Sequence, residues 1–461
     1  MRSIRNLIGG VGLCAPLLLP SVVSAHAFGQ QFSLPLPFSL YAIGASCALL
    51  ASFVAFLFFG KPAESSTRAP RIIGRFAAPY ILALRIFGVV VFALTLLVGF
   101  VGAQSVTANL APVLFWVLLL LGVTYLSVFI GGLWRLVNPF ETLVRIILGK
   151  GYQAFSPYPD WFGYVPAFVF YLCLIKLELL SYGIGAVPAV LGMILLTYLV
   201  VLCIGAAIYG VDAWFTYADF FNVFFEFIGK FAVIYVEQNG EIRVRWPAEQ
   251  LVAEVPQHLS ALFFVMFMLS STAFDGVRET QVWADVFYQL PLIAQNSALF
   301  GHVVLLTSPF LFFAFYAIAV YLMKVLTRTE HSFSFLLLRF AYSLIPIAIA
   351  YSFAHYFALL LNEGQKALAL VSDPLGMGWN LFGTAGYQVN IGLIGAKAVW
   401  NIQIAVIVIG HIVATYIAHR IALLEFRKAY DIAIGQLPML LLMVFYTVFG
   451  LWILSLAFAL P

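Results

Sequence analysis

The sequence predicts an all-α membrane protein, a polytopic bundle of transmembrane helices. Of its 461 residues, 64% are hydrophobic and only 9% are charged, and its apolar runs repeatedly reach the length of about 20 residues that a helix needs to cross a bilayer. Lipid forces backbone groups to pair within helices or closed barrels, and the strict alternation typical of a barrel is absent. This composition excludes a soluble domain, so we expect the lipid bilayer as a partner and no nucleic acid.

The first residues have the pattern of a cleaved secretory leader. Two arginines and a short apolar run precede the small residues Val23 and Ala25, which fit a signal-peptidase site. We therefore predict a signal peptide over 1–25 and a single multi-span membrane domain over 26–461. Cleavage would make His26 the first residue of the mature chain, on the periplasmic side. An uncleaved anchor is the alternative.

Ten apolar stretches after the leader predict ten spans. They are 38–59, 78–103, 111–134, 162–181, 187–209, 258–276, 299–324, 335–361, 397–421 and 434–459. Lysine and arginine concentrate in the loops that this count places in the cytoplasm, whereas the far side holds few of them: Lys176, Arg278, Lys366 and Lys397. This bias follows the positive-inside rule and supports both the leader and the number of spans.

Two segments on the predicted cytoplasmic side are more than loops. Asp212 to Lys230 is aromatic, apolar and interrupted by charges, which favours a helix lying at the membrane interface. The dipeptide Asn239-Gly240 lies between alternating residues, and this pattern predicts a small β-hairpin near 230–257.

Ionisable residues within spans are the candidate functional residues, since charge in a membrane is costly. Asp275, His355 and His411 together supply one carboxylate and two imidazoles, the ligands of a divalent zinc, manganese, iron or copper ion. Asp275 and Glu363 are the candidate catalytic carboxylates. Glu363 lies at the same predicted span end as His355, where it could orient or deprotonate a water. Hydrogen bonding between helices is the alternative role of the histidines.

A free N-terminal histidine offers a further metal ligand. The α-amino group and the imidazole of His26 can chelate a transition metal together once both are deprotonated. The alternative is that any residue can follow a leader cleavage site. The site predicted from the sequence is therefore Asp275, His355 and His411, with His26 as an additional ligand.

Several stretches of the chain form a recognisable set. They are HAFGQQFSLPLPFSLY at 26–41, GLWRLVNPFETL at 132–143, STAFDGVRET at 271–280, AHYFALLLNEGQ at 354–365, SDPLGMGWNLFGTA at 372–385 and GHIVATYIAHR at 410–420. Over most of its length the chain resembles the fenitrothion hydrolase family of bacterial membrane proteins. The resemblance implies a bacterial inner-membrane enzyme that hydrolyses small apolar organophosphorus triesters, with metal-activated water attacking phosphorus and releasing a nitrophenol.

Other functions stay open beside this one. A transporter or a permease that handles copper or another metal predicts broken spans and polar groups through the whole bilayer. A b-type haem protein would need two axial histidines at matching depth, for which His355 and His411 are the candidates. The sequence leaves the identity of the metal, the physiological substrate and the oligomeric state undetermined.

Overall fold

The computed structural model describes residues 34–59, 69–289 and 296–457. Within these ranges, ten helices are long and apolar enough to cross a membrane, which confirms the predicted all-α, multi-pass fold. The helices are α1 Phe38–Phe59, α2 Ala78–Val101, α3 Leu110–Phe129, α4 Leu133–Val137, α5 Pro139–Leu148, α6 Val165–Leu179, α7 Pro188–Tyr209, α8 Val211–Tyr217, α9 Phe220–Gly229, α10 Glu249–Ala253, α11 Leu259–Arg278, α12 Gln281–Gln289, α13 Ser297–Thr327, α14 Phe333–Ala341, α15 Ile345–Gly364, α16 Lys366–Ser372, α17 Ala396–Glu425 and α18 Ala429–Ala457.

Helix α11 lies at the centre of the bundle. Its apolar window is 83% buried within the protein, against 17% for α1, so α1 faces lipid while α11 is surrounded by other helices. Helix α15 packs between α11, α17 and the middle of α3. The ionisable residues that the sequence singles out therefore lie on central helices.

A four-stranded sheet lies at one end of the bundle. Its strands are β1 Arg71–Arg75, β2 Ile130–Gly131, β3 Ile234–Val236 and β4 Glu241–Val244, in the order β1-β4-β3-β2. Strands β3 and β4 form the antiparallel hairpin predicted around Asn239-Gly240, where Gly240 takes the positive φ of +85° that suits glycine. The hairpin is not isolated, because β1 and β2 extend it on both edges. We call this end of the bundle the sheet side and the other end the opposite side.

The segment predicted as an interfacial helix is instead a buried helical hairpin, formed by α8 and α9. Helix α8 runs back along α7, where Gly205 leaves room for the Trp214 ring: an added Cβ would lie 2.1 Å from its Cε2. At the tip of the hairpin, Asp219 accepts a 2.6 Å hydrogen bond from Tyr198, halfway along α7. Helix α9 then returns to the sheet. Eight of its ten residues are buried, including the polar Asn222, whereas an interfacial helix would leave its polar face in water.

A second hairpin, formed by α4 and α5, occupies what the sequence suggested was a loop. It leaves β2 and reaches the middle of α2, where an added Cβ on Gly88 would lie 1.8 Å from the backbone oxygen of Val137. After α5 the chain is back at the sheet side, since Tyr152 Oη donates a 3.1 Å hydrogen bond to the oxygen of Ala207 in the last turn of α7. Both hairpins thus enter from the sheet side and turn back halfway along the spans.

Candidate functional site

Asp275 and His355, two of the predicted ligands, are in direct contact. Their closest atoms, Asp275 Oδ2 and His355 Nε2, are 3.0 Å apart, and the same oxygen accepts a 2.7 Å hydrogen bond from Tyr356 Oη. The Asp275 side chain is wholly buried and that of His355 is 7% exposed. A buried carboxylate needs such partners, because desolvation of an isolated charge is costly. Asp275, His355 and Tyr356 form what we call the aspartate cluster.

Close packing of α11 against α18 fixes the backbone beside the aspartate cluster. An added Cβ on Gly276 would lie 2.4 Å from Ile453 and 3.5 Å from Tyr351 Oη, so only glycine fits here without displacing neighbours. Glu178, on the end of α6, interacts electrostatically with Asp275 and with Arg278. Arg278 in turn donates a hydrogen bond to the backbone oxygen of Leu179. A second carboxyl group, that of Glu178, and one cation, Arg278, therefore lie close to the cluster.

His411 does not belong to the aspartate cluster, which corrects the predicted three-residue centre. Helices α15 and α17 pack so that Gln403 Nε2 donates to the oxygen of Ala354 at 2.9 Å, which places Gln403 at the depth of His355. His411 lies eight residues further along α17, roughly 12 Å towards the sheet side. Its Nδ1 lies 2.8 Å from the oxygen of Ile407. The same separation places His355 and His411 at different depths in the bundle, whereas the two axial ligands of a haem have to lie at matching depth.

Glu363 is also remote from Asp275. It lies eight residues beyond His355 on α15, roughly 12 Å along the helix axis, and pairs with Lys366. His26 lies outside the described residues. Among the described residues, no group of three or more His, Cys, Asp or Glu side chains is arranged to hold a metal ion. Asp275 and His355 are therefore the two predicted ligands that the structure brings together.

A second polar cluster joins the tips of the two hairpins. Asp219 accepts from Tyr198 at 2.6 Å through Oδ1 and from Asn138 Nδ2 at 3.1 Å through Oδ2. The Tyr198 hydroxyl in turn accepts the backbone N–H of Phe220, the first residue of α9, at 3.0 Å. Asn138 Oδ1 accepts the N–H groups of Phe140 and Glu141 at 2.9 and 3.1 Å, at the start of α5. We call Asn138, Tyr198 and Asp219 the tip cluster.

The tip cluster could have been found in the sequence from one signal. Asn138-Pro139 is an N-cap followed by proline, a typical helix start, and it lies in an apolar stretch that was assigned to a loop. Asp219 is likewise followed by ten residues, half of them phenylalanine, that are too few for a span of their own. Tyr198 and Tyr356 gave no signal, because a tyrosine in an apolar helix is ordinary.

No family model matches the chain, and neither a curated protein nor a solved structure matches it.

Proposed function

We propose that this protein is a membrane transporter whose cargo is a divalent transition-metal cation. The observation that carries the proposal is the meeting of α5 and α9 halfway along the spans. Breaking helices inside a bilayer exposes backbone groups that lipid cannot satisfy, so such breaks occur where they are buried in protein or line a path. Transporters use discontinuous helices in this way. The two N-termini here face the carboxylate of Asp219, as their partial positive charge requires, so the cation is assigned to the aspartate cluster rather than to the helix starts.

The chemistry of the aspartate cluster supports the choice of cargo. A carboxylate and an imidazole are ligands that zinc, manganese, iron and copper accept. Two such ligands, each about 2.0–2.1 Å from a tetrahedral zinc, lie roughly 3.3 Å apart. Asp275 Oδ2 and His355 Nε2 are 3.0 Å apart, so a small separation makes room for the ion. A site with only two protein ligands also suits a cargo, because a transported ion has to leave again.

The test is uptake of Zn²⁺ into proteoliposomes that enclose a fluorescent zinc indicator. Wild-type protein is expected to admit Zn²⁺ faster than protein-free vesicles, and Asp275→Asn and His355→Gln are expected to abolish the difference. Asp285→Asn and His302→Gln are matched controls, since the first lies on exposed α12 and the second near the start of α13. Gel filtration shows whether each variant is folded. Normal uptake in both cluster variants would disprove the role of the cluster.

Hydrolysis of an organophosphorus triester such as fenitrothion is the second candidate function. The direct Asp275–His355 contact supports it too, because a carboxylate and an imidazole held together away from water are ligands of a catalytic metal. A divalent ion held there would lower the pKa of water and polarise the phosphoryl group. Asp275 and His355 would hold that ion, and Tyr356, which donates to Asp275 Oδ2, would orient the carboxylate.

Release of nitrophenol from fenitrothion separates the two functions. Water adds to phosphorus, the aryl P–O bond breaks, and the phenolate leaves with the dialkyl thiophosphate as the other product. The hydrolase proposal expects release that a chelator stops, that divalent metal restores and that Asp275→Asn abolishes. Zinc uptake without nitrophenol release would refute the hydrolase proposal and support the transporter proposal.

A further inference from the structure

Polar side chains recur along α17 through most of its length. His411, Thr415 and His419 are four residues apart and lie within about 80° of one another around the helix, while Gln403 lies eight residues earlier and about 80° to the other side of His411. From the first to the last they cover 16 residues, or roughly 24 Å, out of a hydrocarbon thickness of about 30 Å. All four side chains are buried. Polar groups therefore cross most of the membrane on a single helix.

These buried polar side chains of α17 are unusual because several of their hydrogen-bonding atoms have no partner in the part of the chain that the structure describes. Gln403 Oε1, His411 Nε2 and His419 Nε2 are buried without a hydrogen-bond partner among the described residues, and so is Tyr351 Oη on the adjoining α15. Each such atom costs about 1–3 kcal/mol if it stays dry. Four of them at successive depths point to water, because water supplies the missing bonds at little cost.

Room for water is present beside Thr415. A cavity of about 10 Å³ lies between α1, α17 and α18, and its lining is mostly apolar, with Thr415 and Gln436 as its two polar residues. This is close to the least volume that one water molecule occupies. Gln436 is also the residue whose Oε1 lies 3.1 Å from His419 Nδ1. The cavity therefore adjoins the histidine of α17 that lies nearest to the sheet side.

The histidines are held in the state that accepts a proton. His411 Nδ1 faces the oxygen of Ile407 at 2.8 Å, and His419 Nδ1 faces Gln436 Oε1 at 3.1 Å, so each Nδ1 is the donor. The lone pair is then on Nε2, the atom without a partner. Histidines in this state relay protons in membrane pumps and transporters.

We propose that α17 carries a proton path between the aspartate cluster and the sheet side. A proton passes through water to Nε2 of His411, leaves from the same nitrogen, and moves past Thr415 to Nε2 of His419. Only N–H and O–H bonds form and break, and no electron is transferred. In the transporter proposed above, on which this use of the path rests, proton flow supplies the free energy for moving the cation.

The charged groups around the path leave the histidines as its titrating members. At the sheet end, Arg420 pairs with Glu249 of α10, and Arg339 of α14 pairs with Glu425. His331 also faces Glu425, at 3.5 Å. From the other packed helices, α15 presents Tyr351 and α18 presents Tyr446, whose hydroxyl donates to the oxygen of Phe312.

Proton flux into proteoliposomes tests the path. The vesicles enclose a pH-sensitive dye, and a potassium gradient with valinomycin drives protons inward in the absence of metal. Wild-type protein is expected to acidify the lumen faster than protein-free vesicles, and His411→Gln is expected to reduce the flux to the protein-free level. Gln keeps the size and polarity of the side chain but does not accept a proton. His302→Gln is the control, because its Nδ1 makes the same contact with the carbonyl four residues earlier on another helix.

Thr415→Val provides a second variant, because valine matches the shape of threonine and removes the hydroxyl beside the cavity. It is expected to lower the flux even if His411→Gln fails to fold. Wild-type flux no faster than that of protein-free vesicles, or full flux in Thr415→Val and in folded His411→Gln, overturns the proton path. Zinc uptake measured at equal pH on both sides tests the transporter proposal separately. Zinc uptake without proton flux would refute only the proton path. Proton flux without zinc uptake would refute only the metal cargo.

Discussion

Replacing Gly88 by alanine is expected to destabilise the protein through a contact that exists only because α4 ends halfway along α2. An added Cβ would lie 1.8 Å from the oxygen of Val137 and 2.8 Å from its carbonyl carbon, whereas real Cβ contacts are essentially never below 3.0 Å. The oxygen belongs to the backbone, so no rotamer change relieves the clash. To bring the 1.8 Å contact up to the 3.0 Å limit, α4 and α2 have to separate by about 1.2 Å at this point. This separation disturbs the packing of the whole hairpin.

The size of the effect follows from two opposing terms. Overpacking of a well-packed interior costs about 1–3 kcal/mol. Alanine in place of glycine inside a helix contributes at most about 1 kcal/mol in the other direction. Gly44 of α1 supplies the matched control, because an added Cβ there meets no atom within 4 Å. The difference between Gly88→Ala and Gly44→Ala therefore isolates the steric cost.

Both variants are heated in the same detergent, and the fraction that remains monodisperse is measured against temperature. Many membrane proteins unfold irreversibly, so the order of the midpoints is compared at one heating rate. Gly44→Ala is expected at or above wild type and Gly88→Ala clearly below it. Equal midpoints for the two variants would show that Val137 does not lie against the middle of α2, and the broken-helix argument for transport would fail with it.

Three further predictions concern the surface and the ends of the chain. Desolvation raises the pKa of Asp373, but the N–H groups of Gly378 and Met377 donate to its carboxylate and lower the pKa overall. This stabilisation is therefore complete above the unfolded pKa of about 3.9 and is lost as the pH falls through the lower folded value. The protection factors of the loop amides, which compare their exchange with the intrinsic rate at each pH, should fall only in that acid range, and a fall between pH 7 and 5 would contradict the assignment. Reporter fusions after Gln238 should be cytoplasmic and those after Asp373 periplasmic, and the reverse would invert the topology. N-terminal sequencing of the purified protein should begin at His26, whereas a retained initiator methionine would remove its free amine as a ligand.

Hydropathy was enough to predict the ten spans, because each exceeds the length that the bilayer demands. It was not enough to find the hairpins, because α9 spans only Phe220–Gly229 and half-crossing helices fall below that length. Asp275 and His355 were found because ionisable groups in a membrane stand out on cost alone. His411 lies near the middle of its predicted span 397–421, whereas Asp275 and His355 lie near the ends of theirs, so the span positions already counted against a shared centre.

The tip cluster explains why the two hairpins turn back at the same depth. The N-terminus of each half-helix presents unpaired N–H groups and a partial positive charge, and lipid offers neither water nor counter-charge. Asn138 satisfies two N–H groups of α5 and Tyr198 satisfies the first N–H of α9, while both also donate to Asp219. One carboxylate thus faces two helix starts. Without α4 and α5, Asp219 would lose its Asn138 donor, and without α8 and α9, Asn138 and Tyr198 would lose their shared acceptor. The shared carboxylate therefore couples the two hairpins at this depth.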